Sequence, residues 1–314
     1  MKFSLFQIDK EGLLLSLQDL GREGMRHQGI PCSGAMDPYA LRIGNILVGN
    51  QHSCASLEIT MGGCILRVLK DATIVITGAN LTPKLNNKDL PMWKTISIKK
   101  GDQIAFLGPK FGLRSYICVY GGFEEESDLN SVSYYDKANL GRKLEIGSKI
   151  FAKLNSTNPK KIGLRSNLIP NYHKRVKVRV IQSPHINRFS QETIQFFFST
   201  VFQVSSSDRM GMYLTNELPI IQENNGWVLS EGVTYGTIQI LPNGSPIILL
   251  ADAQTTGGYP TIGTVISVDL WKLAQIQTGG SIEFIPIEIN EAQRLFIKME
   301  KKLNALQFEY NNIM

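Results

Sequence analysis

Short apolar runs separated by turn residues cover most of the chain. They are rich in Ile, Val and Thr and are bounded by Gly, Pro or Asn, which is the pattern of β-strands. The clearest runs are "CILRVL", "TIVITG", "TISIKKGDQIAFLG", "SYICVYGG", "VKVRVIQS", "TIQILP", "PIILLADA" and "SIEFIPI". The sequence therefore predicts a mainly β protein.

Helical patterns are few. The clearest is "MDPYALRIGNILVGN", in which Asp37 can cap the helix, Pro38 fits its first position, and Gly49 and Asn50 end it. A second helix is predicted in "NEAQRLFIKMEKKLNALQFEY" and a third in "NRFSQETIQFFFS". We expect a few short helices beside the strands.

A faint internal repeat suggests two halves. Glu58 is followed after five and seven residues by Gly and Ile, and Glu231 is followed by the same pair, 173 positions further on. The segments "GDQIAF" and "GGSIEF" repeat at an offset of 178. Chance similarity between short strands is the alternative. The predicted organisation is an N-terminal β domain at 1–150, a polar linker at 151–174, a β domain of similar fold at 175–290 and a helical tail at 291–314.

Composition and charge narrow the class of protein. The 314 residues are 43% hydrophobic and 19% charged, with a net charge of +6, which is typical of a folded soluble protein. The basic segment at 160–180 lacks the interleaved aromatic residues of a nucleic-acid site and favours a solvated linker. No apolar run approaches the ~20 residues of a membrane helix. We expect neither nucleic acid nor a membrane as a partner.

The four cysteines form no CxxC pair, and the chain shows no signal peptide. Reduced thiols in a cytoplasmic protein are the simplest interpretation. The four histidines show no metal-ligand spacing, so no metal site is predicted. No Ser-His-Asp order can be read, and the nucleotide motifs GxxxxGK[ST] and GxGxxG are absent.

The segment "ADAQTTGGYP" at 251–260 lies between two strand-like runs and is longer than a hairpin turn requires. Gly257 and Gly258 permit positive φ and a close approach of the backbone to a ligand, and successive N–H groups there could form an anion nest. Asp252 could orient a substrate amide or act as a base. The alternative is a wide turn whose polar groups satisfy one another.

Two further positions carry charge beside a predicted turn. Arg209 could bind a carboxylate or phosphate through its forked guanidinium, or it could form a structural ion pair with Asp208. Glu231 is a candidate for the site, whereas its counterpart Glu58 favours a structural role.

Several motifs together resemble the allophanate hydrolase subunit 2 family, also described as biotin-dependent carboxyltransferase-like. They are "QDLGREG", "IPCSGAMDPYALRIGNILVGN", "LEITMGG", "SSDRMG" and the long segment from Ser230 to Phe284. Members of the family include the C subunit of bacterial 5-oxoprolinase, the regulator KipA and part of the carboxyltransferase domain of urea carboxylase. The resemblance implies two cyclophilin-like β-barrel domains.

For the 5-oxoprolinase branch, the resemblance implies ATP-driven opening of 5-oxoproline to glutamate, with Mg and ATP bound in the complex. The implied partners are a subunit 1 protein of the KipI or PxpB type and a lactam-utilisation subunit of the PxpA type, and the chain would be inactive alone. Lys298 and Met299 lie in a predicted helix, so we expect no covalent biotin on this chain. The alternatives are a carboxyltransferase or amide hydrolase acting on urea-type amides, and a KipA-like regulator without chemistry.

On this basis Asp252 and Arg209 are the predicted catalytic residues. The residues predicted to bind substrate are Gln254, Thr255, Thr256, Gly257, Gly258, Tyr259, Asp208 and Glu231. The sequence departs from the family where Tyr120, Val132 and Tyr213 stand at positions at which arginine is usual. Either the substrate differs or catalytic competence is reduced.

Overall fold

A computed structural model describes residues 2–153, 161–222 and 228–313. The chain divides into two compact units. The first comprises Met1–Arg22, Ser33–Tyr172 and Lys301–Met314, and the second comprises Glu23–Cys32 and His173–Glu300. Among the described residues, no helix is long and apolar enough to cross a membrane.

The described residues form four α-helices: α1 (Pro38–Leu47), α2 (Gln191–Ser199), α3 (Leu270–Gln275) and α4 (Ile289–Ile313). The start of α1 confirms the sequence prediction, because the side chain of Asp37 accepts a hydrogen bond of 2.9 Å from the N–H of Ala40 and Pro38 is the first helical residue. Ser190 caps α2 in the same way. The pattern at α3 is too short to be predicted from periodicity.

Eleven strands belong to the first unit: β1 (Lys2–Glu11), β2 (Leu14–Gln18), β3 (Ser56–Thr60), β4 (Cys64–Val68), β5 (Ala72–Asn80), β6 (Pro83–Leu85), β7 (Lys88–Asp89), β8 (Thr95–Ile98), β9 (Gln103–Phe106), β10 (Phe111–Val119) and β11 (Lys149–Lys153). They form a six-stranded sheet of order β11-β1-β4-β9-β6-β7 and a five-stranded sheet of order β2-β3-β10-β5-β8. Phe6 and Leu66 of the first sheet share one buried core with Leu57 and Ile76 of the second. Burial of this shared apolar face holds the two sheets together.

Nine strands belong to the second unit: β12 (Arg175–Gln182), β13 (Val201–Ser207), β14 (Gly211–Thr215), β15 (Glu231–Gly232), β16 (Thr237–Ile240), β17 (Pro246–Leu249), β18 (Thr256–Gly257), β19 (Thr261–Val265) and β20 (Ser281–Pro286). Seven of them close into a barrel of order β12-β19-β16-β17-β14-β13-β20. Its fully buried apolar residues recur at every second position, as a strand with one inward face requires; examples are Val178, Val180, Phe202, Val204, Ile238, Ile240, Ile282 and Phe284. The remaining two strands, β15 and β18, pair with each other.

The segment predicted as a linker, 151–174, is in large part integrated into the first unit, and residues 154–160 lie outside the described residues. The N–H of Thr95 donates to the carbonyl of Ile162, and the N–H of Leu164 donates to the carbonyl of Trp93, both at 2.8 Å. The backbone of this described part thus pairs with a loop of the first unit. A linker with boundaries at 151 and 174 stays a prediction.

The repeat found in the sequence does not extend to strand pairing. Strands β16 and β17, which follow Glu231, pair with each other, whereas β4 and β5, which follow Glu58, lie in different sheets. The mainly β prediction is confirmed, and the second unit contains a closed barrel, whereas the strands of the first unit form two sheets. A cyclophilin-like fold for each half, with boundaries at 150 and 175, stays a prediction.

Candidate functional site

The segment 251–260 connects β17 to β19 in the second unit and lies against residues 231–233. Within it, Thr256 and Gly257 form β18 and pair with β15, and the N–H of Val233 donates to the carbonyl of Thr255 at 3.0 Å. Gln254 and Thr256 are exposed, whereas Gly257, Gly258 and Tyr259 are half-buried. The segment is therefore a fixed loop with one polar face toward solvent, and we call it the 251–260 loop.

Arg209 and Asp252 form a bidentate ion pair where this loop begins. The Nε of Arg209 donates to Oδ2 of Asp252 at 2.7 Å, and Nη2 donates to Oδ1 at 3.0 Å. The side chains are only 10% and 8% exposed. The N–H of Asp252 also donates to the carbonyl of Arg209 at 2.8 Å, so the backbone and the side chains fix the same contact.

The partner of Arg209 in this pair is thus Asp252, whereas the sequence had suggested Asp208. The carboxylate of Asp208 instead accepts hydrogen bonds from the N–H groups of Met210 and Gly211, at 2.7 and 2.9 Å. An aspartate followed two residues later by such N–H donors stabilises a turn. Asp208 therefore shapes the turn between β13 and β14 that presents Arg209.

This geometry bears on the expected roles of the pair. Both carboxylate oxygens of Asp252 face the guanidinium, which fixes the plane of the fork. A carboxylate so engaged is better suited to holding Arg209 in place than to taking a proton from a substrate. The arrangement favours Asp252 as a positioning residue.

The two glycines of the loop serve close packing and do not form an anion nest. No residue of 251–260 has a positive φ, whereas a nest needs alternating right- and left-handed residues. Neither glycine adopts the positive φ that its lack of a side chain permits. A Cβ on Gly257 would lie 2.4 Å from Nε2 of the buried Gln239, and a Cβ on Gly258 would lie 3.3 Å from Oγ of Ser230. The glycines allow the loop to lie close to its neighbours.

A second cation reaches the loop from the segment 23–32, which groups with the second unit. The Nη2 of the half-buried Arg26 donates to the carbonyl of Thr255 at 3.4 Å. Sequence reasoning missed this residue, because 229 positions separate the two partners and no motif connects them. The loop thus contacts a guanidinium at Thr255 in addition to the one that is paired with Asp252.

His185 is also brought to the loop. Its Nδ1 lies 3.5 Å from Oε1 of Glu231, 3.3 Å from the N–H of Thr261 and 3.2 Å from Oγ1 of Thr261. The Oγ1 of Thr261 in turn lies 2.6 Å from Oγ of Ser183. Of the predicted binding residues, Glu231 therefore belongs to a polar cluster that the sequence did not reveal, since a lone histidine carries no spacing signal.

The comparisons with known proteins decide the family. Residues 28–286 match the family described as carboxyltransferase domain, subdomain A and B. The chain belongs to this carboxyltransferase family. The resemblance read from the motifs is thereby confirmed.

Within the carboxyltransferase family, two relatives match nearly along their whole length. The chain is 34% identical over 297 residues to the 5-oxoprolinase C subunit of Haemophilus influenzae, covering 93% of this chain and 94% of the relative. It is 31% identical over 314 residues to the 5-oxoprolinase C subunit of Escherichia coli, covering 98% and 99%. Among solved structures, K. lactis urea amidolyase matches with a TM-score of 0.90 and 26% identity, covering 98% of this chain but 20% of that one.

The three positions at which family arginines are usual are divided between the two units. Tyr120 and Val132 are half-buried residues of the first unit, and Tyr213 is an exposed residue of β14 in the second. The N–H of Val132 donates to Oδ2 of Asp19 at 2.9 Å, and Asp19 also accepts from the hydroxyls of Ser131 and Ser133. The loop around Val132 is therefore tied to Asp19.

The side chains around the loop are not those of a metal centre. No group of three or more His, Cys, Asp or Glu residues that could hold a metal ion occurs among the residues that the structure describes. The site is thus built from arginines, hydroxyls, amides and one histidine–glutamate contact.

Proposed function

We propose that this chain is the C subunit of an ATP-dependent 5-oxoprolinase, which opens the lactam ring of 5-oxoproline to glutamate together with partner subunits. The observation that carries the proposal is the match to two 5-oxoprolinase C subunits along 94% and 99% of their length. The chain covers nearly the whole of those two relatives, whereas it covers 20% of the urea amidolyase chain.

The chemistry of a lactam fits the residues at the loop. A lactam is a stable amide, and phosphorylation of its carbonyl oxygen creates a good leaving group. Such a substrate needs a cation for its carboxylate, neutral groups for its amide and a proton donor for the ring nitrogen. We assign carboxylate binding to Arg209, held in its plane by Asp252, and amide binding to the exposed Gln254 and Thr256.

ATP and Mg are assigned to the partners in this proposal. The described residues contain no cluster suited to a metal ion, and the sequence has no P-loop. We derive no step that uses ATP or Mg on this chain. A subunit 1 protein of the KipI or PxpB type and a lactam-utilisation subunit of the PxpA type would supply the site. The four free cysteines are compatible with work in the cytoplasm.

The test is co-expression with the partner subunits, followed by measurement of ATP consumption with 5-oxoproline, with urea and with no substrate. We expect consumption to depend on 5-oxoproline and on the presence of this chain. Arg209→Lys keeps the charge but loses the fork that Asp252 holds, so KM for 5-oxoproline should rise more than it does in the control Arg294→Lys, an exposed arginine of the same unit. ATP consumption that responds to urea and not to 5-oxoproline would refute the assignment.

A second candidate function rests on the structural match to urea amidolyase at a TM-score of 0.90. In that case the chain would act in carboxyl transfer on a urea-type amide, and biotin would arrive on another protein. Carboxylation of urea that requires a biotinylated partner is the result that would favour it.

A further inference from the structure

We propose that His185 and Glu231 form a proton-transfer pair at the 251–260 loop, in which His185 protonates the leaving nitrogen of a cyclic amide substrate. The inference rests on the proposed function, because it assigns a role within the opening of a lactam. The sequence had given His185 no role and Glu231 only one in binding.

The position of the pair supports this role. Glu231 lies in β15 and is paired with Gly257 of the loop, so its backbone is fixed directly beside the predicted substrate groups. His185 lies in the short helical turn Pro184–Arg188, which packs against β19, and its side chain is 19% exposed. A histidine that is largely covered, yet reachable from solvent, meets the basic requirement for exchanging protons with a bound ligand.

The partners around the imidazole ring determine which nitrogen can act. All contacts described for the imidazole involve Nδ1: the Oε1 of Glu231 at 3.5 Å, and the N–H and Oγ1 of Thr261 at 3.3 and 3.2 Å. A partner at one nitrogen fixes the nitrogen that faces a substrate. The Nε2 atom is therefore the one through which the ring would deliver a proton.

The neighbouring hydroxyl groups can hydrogen-bond to Nδ1 whether or not this nitrogen carries a proton. The Oγ of Ser183 accepts from the N–H of His185 at 2.8 Å and lies 2.6 Å from Oγ1 of Thr261. If Ser183 donates to Thr261, the hydroxyl of Thr261 can donate to an unprotonated Nδ1. If Thr261 donates to Ser183, its oxygen can accept from a protonated Nδ1. The N–H of Thr261 also donates to Nδ1 at 3.3 Å, which fits the unprotonated nitrogen; in the imidazolium this contact is lost and the Nδ1 proton is donated to Oγ1 of Thr261.

Glu231 is the charged group that the described residues place against the ring. It faces Nδ1 from β15 at 3.5 Å, while β19 contributes Thr261 and Ser183 follows the end of β12. On its own turn, His185 is followed by Arg188. The carboxylate therefore lies where it can hold the orientation of the imidazole ring.

In the proposed step, water adds to the carbonyl carbon of the O-phosphorylated lactam and releases its protons to solvent, and the resulting tetrahedral centre loses its C–N bond. The electron pair of that bond remains on nitrogen, which takes the proton from Nε2 of His185. The phosphoryl group stays on the former lactam oxygen as an acyl phosphate, which a second water hydrolyses to the carboxylate and inorganic phosphate. The ring becomes neutral, and solvent later returns a proton to it.

The test uses the reconstituted complex with wild-type chain, His185→Gln, Glu231→Gln and the matched control His173→Gln, an exposed histidine of the same unit. Thermal melts first establish that each variant is folded. We expect His185→Gln to lower kcat by roughly 10²- to 10⁴-fold with little change in KM, and His173→Gln to behave as wild type. Glu231→Gln removes the carboxylate that faces Nδ1 and should lower kcat by less than His185→Gln does, because the ring itself remains.

A substrate with a better leaving group separates proton donation from a structural role. In the corresponding five-membered lactone carboxylic acid, oxygen replaces the ring nitrogen and needs far less protonation to leave. His185→Gln should therefore lose much less activity on the lactone than on 5-oxoproline. Equal losses on both substrates, or a kcat on 5-oxoproline within threefold of wild type, would overturn the inference.

The two proposals fail in different ways. If the wild-type complex does not convert 5-oxoproline, the proposed function fails and takes this inference with it. If the wild type is active and His185→Gln is equally active, only the proton-transfer role fails.

Discussion

The carboxylate of Asp252 holds the guanidinium of Arg209 through two hydrogen bonds, 2.7 and 3.0 Å long, in surroundings that leave the side chains 8% and 10% exposed. A buried ion pair is costly to break from one side, because the remaining charge stays in a poorly solvated place. The pair therefore connects the stability of the second unit to the geometry of the 251–260 loop.

Asp252→Asn should destabilise the protein by about 3–5 kcal/mol, because it removes a counter-charge of the buried Arg209. Urea unfolding of the isolated chain measures the effect. The double variant Arg209→Met with Asp252→Leu should be destabilised by less than the two single changes together, since it leaves neither charge behind. If the Asp252→Asn variant unfolds at the same urea concentration as the wild type, the ion pair does not stabilise the folded protein.

Gly257→Ala should be more disruptive than Gly258→Ala. The new Cβ at 257 would lie 2.4 Å from Nε2 of Gln239, whereas at 258 its nearest neighbour is 3.3 Å away. We expect Gly257→Ala to cost about 1–3 kcal/mol through overpacking. Shortening the obstructing side chain in Gly257→Ala with Gln239→Ser should restore most of this loss. If the two alanine variants melt alike, contact with Gln239 is not what requires glycine.

Asp269 should make the second unit sensitive to acid. Burial acts to raise the pKa of its carboxyl group, but hydrogen bonds from Arg179 and Lys272 outweigh burial and bring the pKa below its ordinary value. A carboxyl group whose folded-state pKa is lowered contributes stability above its unfolded pKa of about 3.9, and this contribution is lost as the pH falls through the folded value. The difference in unfolding free energy between wild type and Asp269→Asn should thus be largest above about pH 4 and shrink in stronger acid. A difference that stays constant with pH would contradict the charge-based role.

The cysteines should separate into two classes of reactivity. Burial raises the pKa of the Cys64 and Cys118 thiols to about 12, so almost no thiolate forms at neutral pH. Cys32 and Cys54 are half-buried, and burial also raises the pKa of Cys54. In the native chain a thiol reagent should label Cys32 first, Cys54 slowly, and the other two only after unfolding. Mass spectrometry of the labelled peptides checks this order, and rapid labelling of Cys118 in the native chain would contradict it.

The parts of the fold that follow from local sequence were predictable. Asp37 and Pro38 predicted the start of α1, because helix capping and the fixed φ of proline act within a few residues. The 251–260 loop was recognisable because its length and composition exceed those of a simple turn. What was missed depends on contacts between residues far apart in the chain. His185 meets Thr261 across 76 positions, and Arg209 meets Asp252 across 43 instead of pairing with its neighbour.

The internal repeat also shows that sequence spacing does not predict contacts between distant residues. The spacing after Glu58 and Glu231 agrees, yet Glu58 is buried and accepts hydrogen bonds from the N–H of Met36 and the hydroxyl of Tyr116, whereas Glu231 is exposed. Spacing reports the length of the connections between strands. Which strand pairs with which, and which side chain reaches solvent, is decided by the packing of each sheet.

The central claim is that this chain is a necessary component of a 5-oxoproline-opening enzyme, and formation of glutamate tests it most directly. Isotopically labelled 5-oxoproline, ATP and Mg are supplied to the purified partner subunits with and without this chain, and labelled glutamate is measured. We predict that labelled glutamate forms only when the chain, its partners and ATP are all present, and that the chain alone produces none. Equal production of labelled glutamate by the partner proteins with and without the chain, or none from the fully assembled complex, would contradict the account.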